Sequence, residues 1–155
     1  MRVLVMSDSH GDRFNAALAI EQQPEAKYVF HLGDGENDIK DLIDFYKDRT
    51  FVRVKGNCDF YSDLNTYEVV SVGGKKIYLT HGYVERVKYD LSLLCAAARE
   101  HGADIALYGH THTPFIDYVD GLHIFNPGSI REGSYGVVDI TSKGIICILN
   151  KVRYR

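Results

Sequence analysis

The sequence is poor in features that mark several classes of protein. Its 155 residues include three cysteines, three prolines and no tryptophan. Cys58, Cys95 and Cys147 are far apart and odd in number, so they predict neither a disulfide framework nor a CxxC metal site. Free thiols are typical of a reducing compartment, and we expect a cytoplasmic protein.

Long apolar runs are absent as well. No stretch reaches the roughly 18 apolar residues that a membrane-spanning helix needs. The first apolar run meets a carboxylate at Asp8, too early for the apolar region of a signal peptide. We therefore expect neither secretion nor insertion into a membrane.

Positive charge is not in excess. The 18 Lys and Arg residues stand against 21 Asp and Glu residues, which gives a formal net charge of -3. A dedicated nucleic-acid-binding domain is normally strongly basic, so we expect no stable binding of nucleic acid. The composition is otherwise that of an average globular protein, and the length suits one domain over residues 1–155.

Short apolar runs alternate with polar turns in the first half of the chain. The runs 3–7, 28–32 and 51–54 predict buried strands, and each ends directly in a polar turn. Helical spacing of apolar residues follows the first two runs, over 12–23 and 39–46. This alternation predicts an α/β fold with a parallel sheet, whose turns at the carboxyl ends of the strands share one rim.

The second half predicts a hairpin, a helix and further strands. Strands over 66–72 and 75–80 flank Gly73-Gly74, a two-residue hairpin signal. The other expected elements are a helix marked by Val87, Leu91, Leu94 and Ala98 and strands over 104–108, 115–119, 122–125, 135–140 and 145–152. The strands after residue 115 have the pattern of a meander.

Carboxylate, amide and imidazole side chains follow five of the predicted strands. They are Asp8 with His10, Asp34, Asn57, His81, and His110 with His112. Oxygen and imidazole ligands without thiolate suit divalent Mn, Fe, Co, Ni or Zn. Seven such residues exceed the needs of one ion and suffice for two if one carboxylate bridges them.

Each of these features also has an ordinary structural interpretation. Gly, Asp and Asn are favoured in tight turns, and His81 alone would suit a buried core position. His110 and His112 carry more weight, because an i, i+2 spacing on an extended segment points both rings the same way. The metal interpretation depends on the joint occurrence at successive strand ends.

Five short motifs contain these residues. They are Asp8-Ser9-His10, Gly33-Asp34, Gly56-Asn57-Cys58-Asp59, Thr80-His81-Gly82 and Gly109-His110-Thr111-His112. With this order and spacing the sequence resembles the calcineurin-like metallophosphoesterase family, over residues 2–129. It is most similar to the small bacterial and archaeal phosphodiesterases of the YfcE type. From the strand pattern we expect two sheets, one mixed and largely parallel and one more antiparallel, with helices outside them. The resemblance implies the four-layer α/β/β/α sandwich.

The resemblance also implies roles for the seven residues. Asp8, His10 and His112 would bind one divalent ion, Asn57, His81 and His110 would bind a second, and Asp34 would bridge the two. Manganese is the expected metal, with Ni, Fe, Co, Zn or Mg as alternatives.

The implied activity is hydrolysis of a small or aryl phosphodiester by metal-bound hydroxide. The expected catalytic residues are Asp34, Asn57, Cys58 and His81. Cys58 stands where many larger members of the family have a histidine that is thought to protonate the leaving group. A thiol with a pKa of about 8.5 can donate a proton at neutral pH, but its hydrogen bonds are weak, so the identity of the general acid stays open.

Two other functions remain open. Phosphomonoesterase activity is the nearest alternative. The Vps29 type of scaffold, a largely non-catalytic member of eukaryotic retromer with the same fold, has lost part of the histidine set, whereas all seven positions are competent here. A nuclease acting on long DNA is disfavoured by the acidic balance.

Further residues near the expected rim are candidates for contacts with substrate. Phe60, Tyr61 and Tyr83 are placed to stack on a base or an aryl group, and Arg131 is placed to contact phosphate. The segment 126–129, Asn-Pro-Gly-Ser, is either a tight turn or, as the resemblance implies, the part that closes the rim.

The remaining histidines and the basic end of the chain have simpler interpretations. We expect His31 to be buried, and His101 and His123 to lie on the surface. The alternating basic residues of 151–155 predict a charged strand edge, which discourages unwanted pairing. Exposed strands within 115–150 suit a homodimer.

Overall fold

Ten strands, three α-helices and one 3-10 helix make up the computed structural model, which describes residues 1–154. The strands are β1 (Arg2–Met6), β2 (Tyr28–His31), β3 (Thr50–Arg53), β4 (Tyr67–Val72), β5 (Lys75–Thr80), β6 (Ile105–Leu107), β7 (Phe115–Val119), β8 (Leu122–Asn126), β9 (Ser134–Thr141) and β10 (Gly144–Lys151). The helices are α1 (Arg13–Gln22), α2 (Glu36–Phe45) and α3 (Ser92–Glu100), with the 3-10 helix at Ile130–Glu132. Within residues 1–154, no helix has the length and apolarity that crossing a membrane requires.

The strands form two five-stranded sheets, with the orders β10-β9-β1-β2-β3 and β4-β5-β6-β8-β7. In the first sheet β1, β2 and β3 are parallel, and β9 and β10 pair antiparallel. The second sheet has the same mixture, because β5, β6 and β8 are parallel and the two edge strands are antiparallel. The expected contrast between the sheets is therefore wrong. After β6 the chain crosses to the sheet edge, forms β7 and returns in β8 beside β6, which a simple meander would not do.

The sheets pack face to face over a common core, and helices cover their outer faces. In β1, Val3 and Val5 point into the core between the sheets, whereas Leu4 and Met6 point outward against α1 and α2. This is the alternation of a strand, and burial on both faces explains the unbroken apolar run. Helix α3 covers the second sheet through Leu94. The four-layer α/β/β/α sandwich is confirmed.

Two of the helices begin and end close to their predicted positions, and the third begins late. Asp12 Oδ1 accepts a hydrogen bond from the Asn15 amide at 2.9 Å and caps α1. The spacing from Val87 onward predicted a longer α3 than the observed one, which starts at Ser92. Arg86 has a φ of 55°, in the left-handed region that residues with a side chain rarely adopt, so the preceding segment forms separate turns.

The segment 126–129 lies against the turns at the carboxyl ends of the strands. Ser129 Oγ donates to the Asp8 carbonyl at 2.8 Å, and Asn126 Nδ2 donates to the Gly109 carbonyl at 3.2 Å. The turns after β1 and β6, which come from different sheets, are thereby held together. This agrees with the expectation that the segment closes the rim.

Candidate metal centre

Three of the seven expected ligands form one compact group, which we call the first group: Asp8, His10 and His112. Asp8 Oδ1 lies 3.2 Å from His112 Nε2 and 3.5 Å from His10 Nε2. The two imidazole nitrogens are 3.3 Å apart. Three ligand atoms this close together can hold one metal ion.

The other four expected ligands form the second group: Asp34, Asn57, His81 and His110. His81 Nε2 is 3.2 Å from Asp34 Oδ2, 3.0 Å from Asn57 Oδ1 and 3.1 Å from His110 Nδ1. Asp34 Oδ2 also lies 3.7 Å from His10 Nε2 of the first group. One carboxylate oxygen therefore stands between the two groups.

The hydrogen bonding of Asp8 fits a cation at the first group. Its Oδ2 accepts hydrogen bonds from Ser7 Oγ at 2.5 Å and from the His110 amide at 3.0 Å. Its Oδ1 is buried and has no hydrogen-bond partner within residues 1–154. Burying such an oxygen unpaired is costly, and a divalent ion would remove that cost. The residues present therefore fit a metal, and oxygen and imidazole donors suit the divalent ions named above.

The orientation of His81 fits a cation at the second group. Its Nδ1 donates to the Leu32 carbonyl at 2.7 Å, so in the neutral ring Nε2 carries a lone pair that faces the second group. Burial lowers the pKa of His81, but the hydrogen bond with Asp34 and the charges of Asp8 and Asp34 outweigh it and raise that pKa above its ordinary value. For Asp34 the signs are reversed. Burial raises the pKa of its carboxyl group, but contact with His81 outweighs burial and holds that pKa well below its usual range. Metal and proton therefore compete for the same nitrogen.

The backbone at the rim is strained. Five of the seven candidate ligands have a φ in the left-handed region: Asp8 (57°), His10 (42°), Asp34 (59°), His110 (69°) and His112 (60°). Such conformations cost about 1–3 kcal/mol each and persist where surrounding structure enforces them, most often at functional sites. Their concentration here makes the rim the candidate functional site.

Asp59 joins two of the ligand-bearing turns. Its Oδ2 accepts hydrogen bonds from the amides of Asp34 (2.8 Å) and Gly56 (2.7 Å). Its Oδ1 accepts from the amides of Gly35 (2.9 Å) and Glu36 (3.0 Å). Because Gly35 is the N-cap of α2 and offers no side chain, Asp59 caps that helix from the neighbouring turn.

A buried chain of hydrogen bonds supports the turn after β1. Ser9 Oγ donates to Asp38 Oδ2 at 2.7 Å, and the Gly11 amide donates to the same oxygen at 2.9 Å. Burial lowers the pKa of His31 to about 4, so its ring is neutral at pH 7. Its Nδ1 accepts from the Gly33 amide at 3.3 Å, which leaves Nε2–H to donate to Ser9 Oγ at 3.1 Å. The expectation of a buried His31 is confirmed.

Sequence reasoning did not assign supporting roles to Ser9, Asp38 or Asp59. Ser9 and Asp59 lie inside the quoted motifs, beside candidate ligands, and that position was the available signal. Asp38 follows the Gly33-Asp34 turn in the first turn of α2, where an acidic residue is also favoured by the helix dipole.

Cys58 lies at the edge of the site. Its Sγ belongs to a cluster with His10 and Asp34 in which the ligand atoms lie within 4.8 Å of one another. Asn57 Nδ2 donates to the sulfur at 3.7 Å. Burial, and then the charge of Asp34, raise the pKa of the thiol. The group is thus a neutral S–H at pH 7, next to both groups of ligands.

The aromatic candidates lie around the rim with exposed rings. Phe60 is 78% exposed and Tyr61 is fully exposed, whereas the Tyr83 ring meets His110 edge-on with 5.6 Å between centroids. Arg131 is exposed on the 3-10 helix.

Two of the remaining histidines are half-buried. His101 is half-buried against Tyr78, with 5.5 Å between ring centroids, and His123 is half-buried against Tyr118 at 4.5 Å. Both still lie on the surface, as expected, but aromatic side chains from neighbouring strands cover part of each ring. Lys151 is exposed on the edge strand β10, as expected, and Arg155 lies outside the described residues.

The four-layer fold and the ligand-lined rim define a metallophosphoesterase. The calcineurin-like phosphoesterase superfamily domain matches residues 1–143, so the chain belongs to that superfamily. The probable metallophosphoesterase YsnB of Bacillus subtilis is 34% identical over 132 residues, which cover 84% of this chain and 76% of the relative. The phosphodiesterase MJ0936 of Methanocaldococcus jannaschii is 28% identical over 145 residues, which cover 83% of each chain.

Solved structures show the same fold. A predicted phosphoesterase from Streptococcus pneumoniae superposes with a TM-score of 0.82 at 31% identity, covering 97% of this chain and 88% of that one. Vps29 from Entamoeba histolytica, solved in complex with Zn²⁺, superposes with a TM-score of 0.73 at 24% identity, covering 99% and 100%. At that identity the likeness to Vps29 concerns the fold alone.

Proposed function

We propose that this protein is a phosphodiesterase that depends on two divalent metal ions and acts on a small diester. Asp8, His10 and His112 would hold one ion, Asn57, His81 and His110 the other, and Asp34 both. The observation that carries the proposal is the position of Asp34 Oδ2, 3.2 Å from His81 Nε2 and 3.7 Å from His10 Nε2. A shared carboxylate oxygen is the arrangement that a bridged pair of ions needs.

The protein residues bind and orient, and the ions would supply the electrophilic chemistry. Held there, two divalent ions would lower the pKa of bound water and neutralise charge on the phosphoryl oxygens. Asp34, Asn57, His81 and His110 would hold the second ion beside the phosphate. Cys58 is the residue that we assign to protonate the leaving oxygen, because its thiol lies beside both groups.

Other parts of the proposal rest on composition and on relatives. The name of the phosphodiesterase MJ0936 supports a diester as the substrate. We propose manganese as the metal, a cytoplasmic location, and one domain over residues 1–155. The net charge of -3 supports a small substrate over long nucleic acid.

Metal analysis combined with turnover tests this proposal. We expect about two ions per chain after reconstitution with Mn²⁺, and Mn²⁺-dependent hydrolysis of bis(p-nitrophenyl) phosphate. Asp34→Asn should lower kcat by at least about 100-fold and reduce the metal content, because the bridging charge is lost. Asp44→Asn, at an exposed position on α2, is the matched control and should change neither quantity.

The remaining outcomes would overturn the proposal. Turnover of p-nitrophenyl phosphate without turnover of any diester would indicate a phosphomonoesterase. A purified protein that binds no divalent ion and hydrolyses neither substrate would indicate a scaffold of the Vps29 type.

A further inference from the structure

Two cavities border the metal centre, and their walls differ. The first, which we call the Tyr83 cavity, has a volume of about 240 Å³ and reaches Asn57 and His81 of the second group. Its outer wall contains Thr66, Tyr83 and Val84. Tyr83 is 59% exposed and Val84 is 63% exposed, so two large apolar side chains face solvent directly beside the site.

The second cavity, which we call the Cys58 groove, borders the first group. It has a volume of about 260 Å³, and His10, Asp34, Cys58 and Glu36 line it. A neighbouring cavity of about 430 Å³ shares Cys58 and Glu36 and is also lined by Asp63. The groove is therefore polar, with carboxylates along its length.

We propose that the Tyr83 cavity binds a planar aromatic arm of the diester that stays on the phosphate, and that the Cys58 groove takes a polar leaving arm. This inference rests on the proposed function and assigns its substrate class: a diester with one aryl or nucleobase arm and one hydroxylated arm.

The choice of an aromatic occupant follows from the walls and from the size. A ring can stack on Tyr83 and contact Val84, which removes exposed apolar surface from water. The Tyr83 ring is already held edge-on against His110, with an interplanar angle of 88°. Lys55 and Thr66 also line the cavity and provide the few polar groups that orient a ligand in an apolar pocket. The volume suits one ring system.

The choice of leaving arm follows from the position of Cys58. The thiol lines the groove and does not line the Tyr83 cavity. In the reaction water adds to phosphorus, the P–O bond to the arm in the groove breaks, and that oxygen takes up a proton. The products are a phosphomonoester of the aromatic arm and a free alcohol.

Three diesters with the same glycerol arm test this assignment: benzyl glyceryl phosphate, thymidine 5′-glyceryl phosphate and methyl glyceryl phosphate. We expect kcat/KM to be about tenfold higher with an aromatic arm than with methyl. Preference for benzyl would identify an aryl arm and preference for thymidine a nucleobase. The expected product from the first substrate is benzyl phosphate with glycerol. Benzyl alcohol with glycerol phosphate would overturn the assignment.

Variants of the cavity wall give the second test. Tyr83→Ala should lower the benzyl-to-methyl ratio of kcat/KM about tenfold, through loss of stacking. Val84→Ala should lower that ratio about threefold through lost apolar contact, and it does so without touching His110. Tyr89→Ala is the matched control, because Tyr89 is 87% exposed and borders neither cavity, and it should leave the ratio unchanged.

Binding without turnover separates this inference from the proposed function. In the Mg²⁺-loaded protein, benzyl phosphate should shift the NMR signals of the Val84 methyl groups, whereas methyl phosphate should not. Equal kcat/KM for all three diesters, together with unshifted Val84 signals, would overturn the inference and leave the proposed function standing. Hydrolysis of none of the three would count against the proposed function, while the methyl shifts would still report on the cavity.

Discussion

Three candidate ligands, Asp8, Asp34 and His81, are each fixed by one side-chain atom and face the site with another. Asp8 accepts from Ser7 through Oδ2, and Asp34 accepts from the Cys58 amide through Oδ1 at 2.8 Å. His81 donates through Nδ1 to a backbone carbonyl. The remaining oxygen or nitrogen of each side chain thus points to the site in a defined orientation. Supporting hydrogen bonds of this kind raise the affinity for metal, because little freedom is lost on binding.

Cys58 gives the first prediction at the residue scale. If its thiol protonates the leaving oxygen, its removal matters only for alkoxide leaving groups, which need a proton. We expect Cys58→Ala to lower kcat about 100-fold for benzyl glyceryl phosphate and to leave the rate with bis(p-nitrophenyl) phosphate nearly the same, because p-nitrophenolate leaves without a proton. Steady-state kinetics with both substrates measures the difference. Cys95→Ala, at a half-buried thiol on α3, is the control.

The contrast between leaving groups decides the role of the thiol. An equal loss of kcat with both diesters would mean that Cys58 supports the metal centre instead of donating a proton. No loss with either diester would assign the proton to another donor, and the catalytic assignment of Cys58 would then be wrong.

At the scale of elements, Asp59 carries the connection between two turns and α2. Asp59→Asn replaces one acceptor oxygen by an amide that faces backbone N–H groups. Because buried donors left unpaired cost about 1–3 kcal/mol each, we expect the free energy of unfolding to fall by roughly 2–4 kcal/mol. Metal affinity should fall about 10- to 100-fold, since Asp34 and Asn57 sit on the affected turns. Denaturant titration and calorimetric metal titration measure the two effects.

The neighbouring Asp63 provides the control for this change. It is exposed on the same segment, so Asp63→Asn should alter neither stability nor metal binding. A stable Asp59→Asn protein with unchanged metal affinity would show that the four hydrogen bonds do not hold the site together.

Local pattern predicted most of the elements, and contacts distant in sequence account for the errors. Strands β1 and β2 were predictable because a strand buried on both faces needs an unbroken apolar run, and the polar turns mark its end. The run over 51–54 predicted a third strand correctly, but β3 lies at the sheet edge and is only half-buried, so its predicted burial was wrong. The start of α3 was not predictable, because the spacing of apolar residues does not reveal the left-handed φ of Arg86, which keeps the preceding segment out of the helix. The parallel pairing of β8 with β6 depends on which sheet edge the chain reaches, and a short strand does not encode that.

The candidate site shows the same division. All seven candidate ligands were predictable, because metal-binding residue types at successive strand ends form a joint pattern that turns alone do not produce. The hydrogen bonds that hold these ligands in place were not predictable from the sequence. Ser9 meets Asp38 across 29 positions, and the Asp59 bonds to the turn after β2 span 23–25 positions. In the sequence each of these residues has the pattern of an ordinary turn or helix residue, because only the pairing of the strands brings its partner close.

At the scale of the whole molecule, the site joins the two sheets. The turn with Asp8 follows a strand of the first sheet, and the turn with His110 follows a strand of the second. The formal charge of -3 becomes +1 when two divalent ions are counted. The acidic excess includes Asp8 and Asp34, the two carboxylates that would hold the ions at the rim. The net charge of the chain therefore does not describe the local charge that a phosphate would meet there.

Because the candidate ligands come from both sheets, removal of metal should destabilise the entire fold. An ion present at 100 times its Kd stabilises the folded state by about 2.7 kcal/mol. For a chain of this length that corresponds to roughly 8 °C in Tm per ion. We expect EDTA to lower the Tm of the Mn²⁺-loaded protein by about twice that amount, as measured by calorimetry, and added Mn²⁺ to restore it. Asp34→Asn should lose most of this response, because both groups lose the shared oxygen charge, whereas Asp44→Asn should keep it. A Tm that does not respond to EDTA in a protein shown to hold two ions would mean that the unfolded chain binds the ions as tightly as the folded centre, and the proposed centre would then be wrong.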